Sequence, residues 1–185
     1  VNTVGVQLYI HVPFCRKKCA YCAFYSEPSA ARIAPYLEKI VRELNAFESP
    51  EEIESVYFGG GTPTLLEPAA LRQLFDAVRR LPLRSDAEIS MEANPETLTA
   101  EKLATIRTLV NRLSIGIQSF DAETRRTLGR DCSDRAITEA LRMARELAFT
   151  HLNCDLMYAV PHQTEALWRS DLARAAESGA DHISS

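Results

Sequence analysis

Cys15, Cys19 and Cys22 form a Cys-x3-Cys-x2-Cys array, which places three of the chain's five cysteines within eight positions. Spacings this short let one loop wrap three thiolates around one metal centre. Iron–sulfur cubes are held by cysteine thiolates, four in the usual case. Three local cysteines with no close fourth leave one iron without a protein ligand, and an open iron can take a substrate or cofactor as a Lewis acid and hand over an electron. Two other centres stay open on these residues alone. A zinc site would join His11 to the three cysteines, although structural zinc sites usually pair Cys-x2-Cys with a distant second pair. A disulfide framework would have to reach Cys132 and Cys154, far along a chain with no secretory pattern. Cys154 alternates with Asn153 and Asp155 on a strand pattern and reads as a small buried hydrophobe. Cys132 falls in an expected loop and receives no role.

The loop needs a frame to hold it. The chain has 185 residues, Lys+Arg 21 against Asp+Glu 25, a net charge of −4, 46% hydrophobic and 25% charged residues. These are globular values that exclude a disordered or fibrous chain. The mildly acidic balance argues against nucleic-acid binding through bulk positive charge. No apolar run approaches the roughly 20 residues of a membrane span, and the expected location is cytoplasmic. Both ends, Val1 and Ser185, look cut, so 1–185 is expected to be one incomplete domain.

Short β-type runs alternate with 3.6-residue periodicity. The expected strands are Leu8–Val12, Ser55–Phe58, Glu88–Ala93, Arg112–Gln118, Asn153–Tyr158 and His182–Ser185. Between them run five apolar helical stripes: Leu37–Phe47, Leu71–Val78 opened by Pro68, Leu103–Ile106 after Thr99, Ile137–Leu147 after Ser133, and Leu167–Ala175 after Thr164 and before Gly179. Strand and helix in alternation imply a parallel sheet with right-handed crossovers. An open doubly wound sheet and part of a β/α barrel both fit. Either way chemistry collects beyond the C-terminal ends of the strands. Those ends carry Pro13–Cys15, Gly59–Pro63, Glu92–Pro95, Gln118 and Asp155.

The cysteine array, with Tyr21 before its third member, resembles the radical S-adenosylmethionine (SAM) superfamily. The string Leu-Tyr-Ile-His-Val-Pro-Phe-Cys (Leu8 to Cys15) is similar to the oxygen-independent coproporphyrinogen III oxidase-like branch. Phe58–Thr64 (FGGGTPT), Glu92–Pro95 (EANP), Arg112–Phe120 (RLSIGIQSF), Leu128–Arg130 (LGR) and Asn153–Tyr158 (NCDLMY) match it in the same order. The resemblance implies a partial (β/α)6 barrel, parallel strands with helices outside, truncated at its sixth strand, with a further C-terminal domain downstream. It implies a 4Fe–4S cluster on Cys15, Cys19 and Cys22, whose open iron chelates the methionine part of SAM. Reduction then breaks a carbon–sulfur bond and yields a 5′-deoxyadenosyl radical. The branch's SAM contacts map onto Tyr9, Tyr21, Gly60, Gly61, Thr62, Glu92, Gln118, Arg130 and Asp155.

Each mapped residue has a physical rationale. The glycine run lets backbone approach a polar ligand, and without a following Lys it is not a phosphate loop. Glu92 and Asp155 can accept from ribose hydroxyls or an amino group. Arg130 offers a permanent planar charge for a carboxylate, and Gln118 both donates and accepts. Arg16, Lys17 and Lys18, between the ligands, offer a docking point for an acidic reductant such as flavodoxin.

Oxidases of the branch carry a further cysteine two residues after the third ligand; here Ala23 and Phe24 follow Cys22. That departure favours the haem-chaperone (HemW-type) members, with haem as a further ligand and a haem-acceptor protein as partner. Oxidative decarboxylation of coproporphyrinogen III is the alternative. Whether SAM is cleaved stays open. His151, His162 and His182 are candidate axial ligands only in the sense that histidines ligate haem; a lone His is more often structural, and none is named as a haem site.

Overall fold

A computed structural model describes residues 5–185. Six strands, β1 (Val6–Val12), β2 (Ile53–Gly60), β3 (Leu83–Ala93), β4 (Arg112–Gln118), β5 (His151–Leu156) and β6 (His182–Ser184), pair in parallel in strict sequence order. A doubly wound sheet reverses its strand order at a switch point; this one never does. With every crossover of one hand, all helices fall on one face. The barrel-arc alternative is the one observed.

The crossovers are α1 (Ile33–Ala46), α2 (Pro68–Val78), α3 (Ala100–Arg107), the pair α4 (Ala122–Thr127) and α5 (Asp134–Glu146), and α6 (Glu165–Glu177). Along the outer face α1 packs on α2, α2 on α3, and α3 on α5. Their starts are set by the expected signals. Pro68 opens α2, and Thr99, Ser133 and Thr164 each accept a backbone N–H three residues on. Gly179 follows α6 with φ +81°, the left-handed turn that glycine adopts without strain.

The first three strands run longer than the sequence reading gives them, from Val6, Ile53 and Leu83, with β2 reaching Gly60, and β6 stops at Ser184; other details differ too. The fifth strand runs His151–Leu156 rather than Asn153–Tyr158, because His151 N–H already donates to Asn111 O while Ala159 turns left-handed soon after Leu156. Phe47, read as the end of the first stripe, caps α1 and is 41% exposed. The short α4, capped by Asp121, has no apolar stripe to announce it.

The strands alternate. Ile10, Val12, Val56, Phe58, Ile89, Met91, Leu113, Ile115, Cys154 and Leu156 face the helices in one continuous apolar core. Fully buried parallel strands read as unbroken apolar runs; here every second residue is polar or glycine. Tyr9, Tyr57, Glu92, Ser114, Gln118, Asn153 and Asp155 lie on the other, helix-free face.

Candidate cluster and nucleotide site

The cysteines occupy the long loop after β1. Its two ends are laced together: Cys15 N–H donates to Glu27 O at 3.2 Å and Glu27 N–H to Pro13 O at 2.6 Å. Its middle is tied to the loop after α4, where Ala20 N–H donates to Leu128 O at 3.1 Å. Gly129, φ +72°, allows that approach; a Cβ there would sit 3.2 Å from Ala20 N. Cys15, Cys19 and Cys22 are free, half-buried thiols, and all three line one cavity of about 220 Å³.

The same cavity is walled by the ends of β2 to β5. Gly60, Gly61, Thr62, Glu92, Gln118, Asp155, Tyr21 and Arg130 all line it. Of the twelve residues singled out from sequence, eleven therefore converge. Tyr9 stands apart: it is 53% exposed, stacked on Tyr57 at 6.0 Å, with its hydroxyl 2.9 Å from His11 Nδ1.

Glycine is required where two loops meet. A Cβ on Gly61 would lie 2.6 Å from Phe14 O, and Gly60 holds φ +108° with the His11 ring 2.5 Å from its missing Cβ. This close packing is sealed by Gly61 N–H to Val12 O at 2.8 Å and Thr62 N–H to Phe14 O at 2.7 Å. Strand β4 slips register between Gly116 and Gln118, and Gln118 adopts φ +68°. Such an irregularity re-aims a side chain, here toward the cavity.

Two carboxylates form the floor. Glu92 accepts from Tyr57 OH at 2.8 Å and from Gly60 N–H at 3.2 Å. Asp155 accepts from Ser114 OH at 2.8 Å and Asn153 Nδ2 at 2.7 Å. Burial pushes both carboxyls above their ordinary range, against the pull of these donors. Burial also raises the Tyr21 phenol. Opposite stands Arg130, 7% exposed, donating to Asn94 Oδ1 at 2.9 Å and Gly116 O at 2.6 Å. Its Nε has no partner.

Sequence reasoning left Asn94, Tyr57 and Arg125 without a role. Asn94 lay inside a quoted motif, but nothing in a lone Asn shows that it bridges Arg130 and Thr62. Arg125, 2% exposed, donates to Ser119 O, Cys132 O and Asp134, fixing the loop that carries Arg130. His151 and His182 are held by Asp181 and Asn153.

The donor set discriminates between metal centres. One zinc would draw three thiolates to roughly 3.8 Å of one another. Among the described residues no group of three His, Cys, Asp or Glu is gathered to hold a single ion. Both His11 nitrogens are engaged elsewhere, by Tyr9 and by Tyr25 O at 3.1 Å, so the zinc quartet is not assembled. Three thiols around a cavity, with no fourth, fit a larger centre with an open corner.

The sequence profile of the Radical SAM superfamily matches residues 9–174. The chain belongs to that superfamily. Radical SAM membership implies a 4Fe–4S cluster and SAM. The chain is 39% identical to heme chaperone HemW of Escherichia coli (strain K12) over 191 aligned positions, covering all of this chain and 50% of that protein. It is 37% identical to an oxygen-independent coproporphyrinogen III oxidase of Bradyrhizobium diazoefficiens, over 88% of this chain and 38% of that one. The solved structure of E. coli coproporphyrinogen III oxidase (HemN), a radical SAM enzyme, superposes with a TM-score of 0.87 at 32% identity, covering 97% of this chain and 44% of that one. The chain spans about half the length of the curated relatives it matches. No helix among the described residues is long and apolar enough to cross a membrane.

Proposed function

We propose that this chain is the cluster- and SAM-binding core of a haem chaperone that binds and transfers haem, working in the cytoplasm with a haem-acceptor protein and a flavodoxin-like reductant. Cys15, Cys19 and Cys22 would hold the cluster. When bound, that cluster supplies a low-potential electron and an open iron for the amino and carboxylate groups of SAM.

The cavity suits a nucleotide carrying both charges. Arg130, buried with one N–H unspent, meets a carboxylate. Glu92 and Asp155 accept from ribose hydroxyls or an ammonium group. Gly60 and Gly61 let backbone approach a bound nucleotide, Thr62 and Gln118 offer short polar contacts, and Tyr21 supplies an aromatic wall. Tyr9, outside the cavity wall, would act through Tyr57, which holds Glu92.

The observation carrying the chaperone over the oxidase is Phe24. It lines the cavity and is 68% exposed, where the oxidases of the branch present a further cysteine. The identity to heme chaperone HemW supports the same choice. The close superposition on coproporphyrinogen III oxidase favours the second reading, oxidative decarboxylation. The two are separated by anaerobic cluster reconstitution of the full-length protein, followed in parallel by haem absorbance and coproporphyrinogen consumption. Stoichiometric haem binding without porphyrinogen turnover is expected; decarboxylated product at catalytic rates overturns the proposal.

A further inference from the structure

The hydroxyl of Thr62 stands between two partners. Asn94 Nδ2 lies 2.9 Å away and Cys15 Sγ 3.6 Å away. Arg130 Nη1 lies 2.9 Å from Asn94 Oδ1. Bond directions follow from the chemistry of the groups. A guanidinium only donates, so Asn94 must turn its oxygen to Arg130. The amide nitrogen is then the group facing Thr62, and it donates to Oγ1. Thr62 keeps one proton and one remaining neighbour, the Cys15 sulfur. A cysteine bound to iron is a thiolate with no proton to give, so the hydroxyl must donate to the sulfur.

We propose that Arg130, Asn94 and Thr62 form a relay of donors ending in an O–H···S bond to Cys15, and that this bond makes the cluster easier to reduce. The inference rests on the reading that the three cysteines hold a cluster. An extra electron spreads negative charge onto the coordinating sulfurs, and a hydroxyl dipole aimed at one of them stabilises that charge. Hydrogen bonds to the sulfurs and burial are among the factors that set cluster potentials. Thr62 is 2% exposed and Arg130 7%, so the hydroxyl and the guanidinium are shielded from water, while Asn94 and Cys15 are half-buried. The backbone is fixed by Thr62 N–H donating to Phe14 O at 2.7 Å, and the hydroxyl itself by the bond it accepts from Asn94 Nδ2. Thr62 and Asn94 are positioning residues here: they act through Cys15.

The test uses anaerobically reconstituted protein, wild type beside Thr62→Ser, Thr62→Val and Asn94→Asp. The cluster is poised stepwise with dithionite and redox mediators and read by EPR. Thr62→Ser keeps the hydroxyl and is expected to match wild type. Thr62→Val is expected to be harder to reduce by about tenfold in the one-electron equilibrium, or about 59 mV. Pulsed EPR should show a cluster-coupled proton, exchangeable in D₂O, in wild type and Thr62→Ser but not in Thr62→Val. In Asn94→Asp the new carboxylate only accepts, draws the Thr62 proton away from sulfur and is expected to shift the potential in the same direction. That variant decides the matter if Thr62→Val takes up no cluster. Potentials equal to wild type in Thr62→Val, or in Asn94→Asp when it alone is loaded, overturn the relay. Absence of labile sulfide and of an EPR signal in wild type overturns the cluster reading itself.

Discussion

Asp155 shows the compromise built into the cavity at the level of single side chains. Its carboxyl is raised by burial, so the folded chain holds that proton more tightly than the unfolded chain. The stabilisation this gives is complete below the unfolded value near 3.8 and is lost as pH rises through the folded value. At neutral pH the charged group therefore costs the fold stability. Asp155→Asn is expected to stabilise the cluster-free chain at pH 7–8, with the gain vanishing toward pH 4. The same variant should bind SAM more weakly. Thermal melts across pH and calorimetry with SAM check both halves; a melt no higher than wild type at pH 7.5 refutes the first. The cavity carboxylates were legible in sequence because they sit at strand ends within recognisable motifs. Tyr57, which donates to Glu92, was not: a tyrosine inside an alternating strand looks the same whether it packs or holds a carboxylate.

Among the elements, the fourth crossover carries the most information beyond the sequence. Arg125 sits in the polar run Ala122–Thr127, where a charged residue is ordinarily solvated. Instead its guanidinium is buried and satisfies the Ser119 and Cys132 carbonyls. Truncation leaves both acceptors without their donor, so Arg125→Met is expected to lower stability by about 2–3 kcal/mol. Urea unfolding measures it, and a midpoint within error of wild type would show that the clamp contributes nothing. The opposite sign is expected one helix later. Ala148 follows the C-terminal cap of α5 with φ +48°, a conformation that costs a non-glycine residue roughly 1 kcal/mol. Ala148→Gly should raise Tm by about 2–4 °C. Helix starts were readable from Thr99, Ser133 and Thr164 because a hydroxyl before an apolar stripe has one plain use. The end of α5 lacked the corresponding glycine, and α4 lacked a stripe.

Across the whole molecule, strand order and parallel pairing decide the architecture, and the parallel pairing follows from the alternation of strand and helix. The choice between an arc and a doubly wound sheet did not, since it depends on which edge each new strand joins. The arc brings four strand ends, the cysteine loop and the loop after α4 to one cavity. A ligand there ties together segments from Cys15 to Asp155. Cluster-loaded protein with SAM at one hundred times its dissociation constant should gain about 2.7 kcal/mol, or about 5–10 °C in Tm. Calorimetry under anoxic conditions reads this shift, and measured binding without it would mean that SAM binds the unfolded chain as well as the folded one.

The two-residue alternation that dominates β1 to β5 divides the strands' sequence between two kinds of selection. Odd and even positions answer to different demands: one set to close packing beneath the helices, the other to whatever occupies the channel. A saturation library scored once for abundance and once for ligand retention should therefore give two sensitivity profiles that interleave residue by residue. New specificities could then arise on the channel-facing letters while the neighbouring ones keep the scaffold intact.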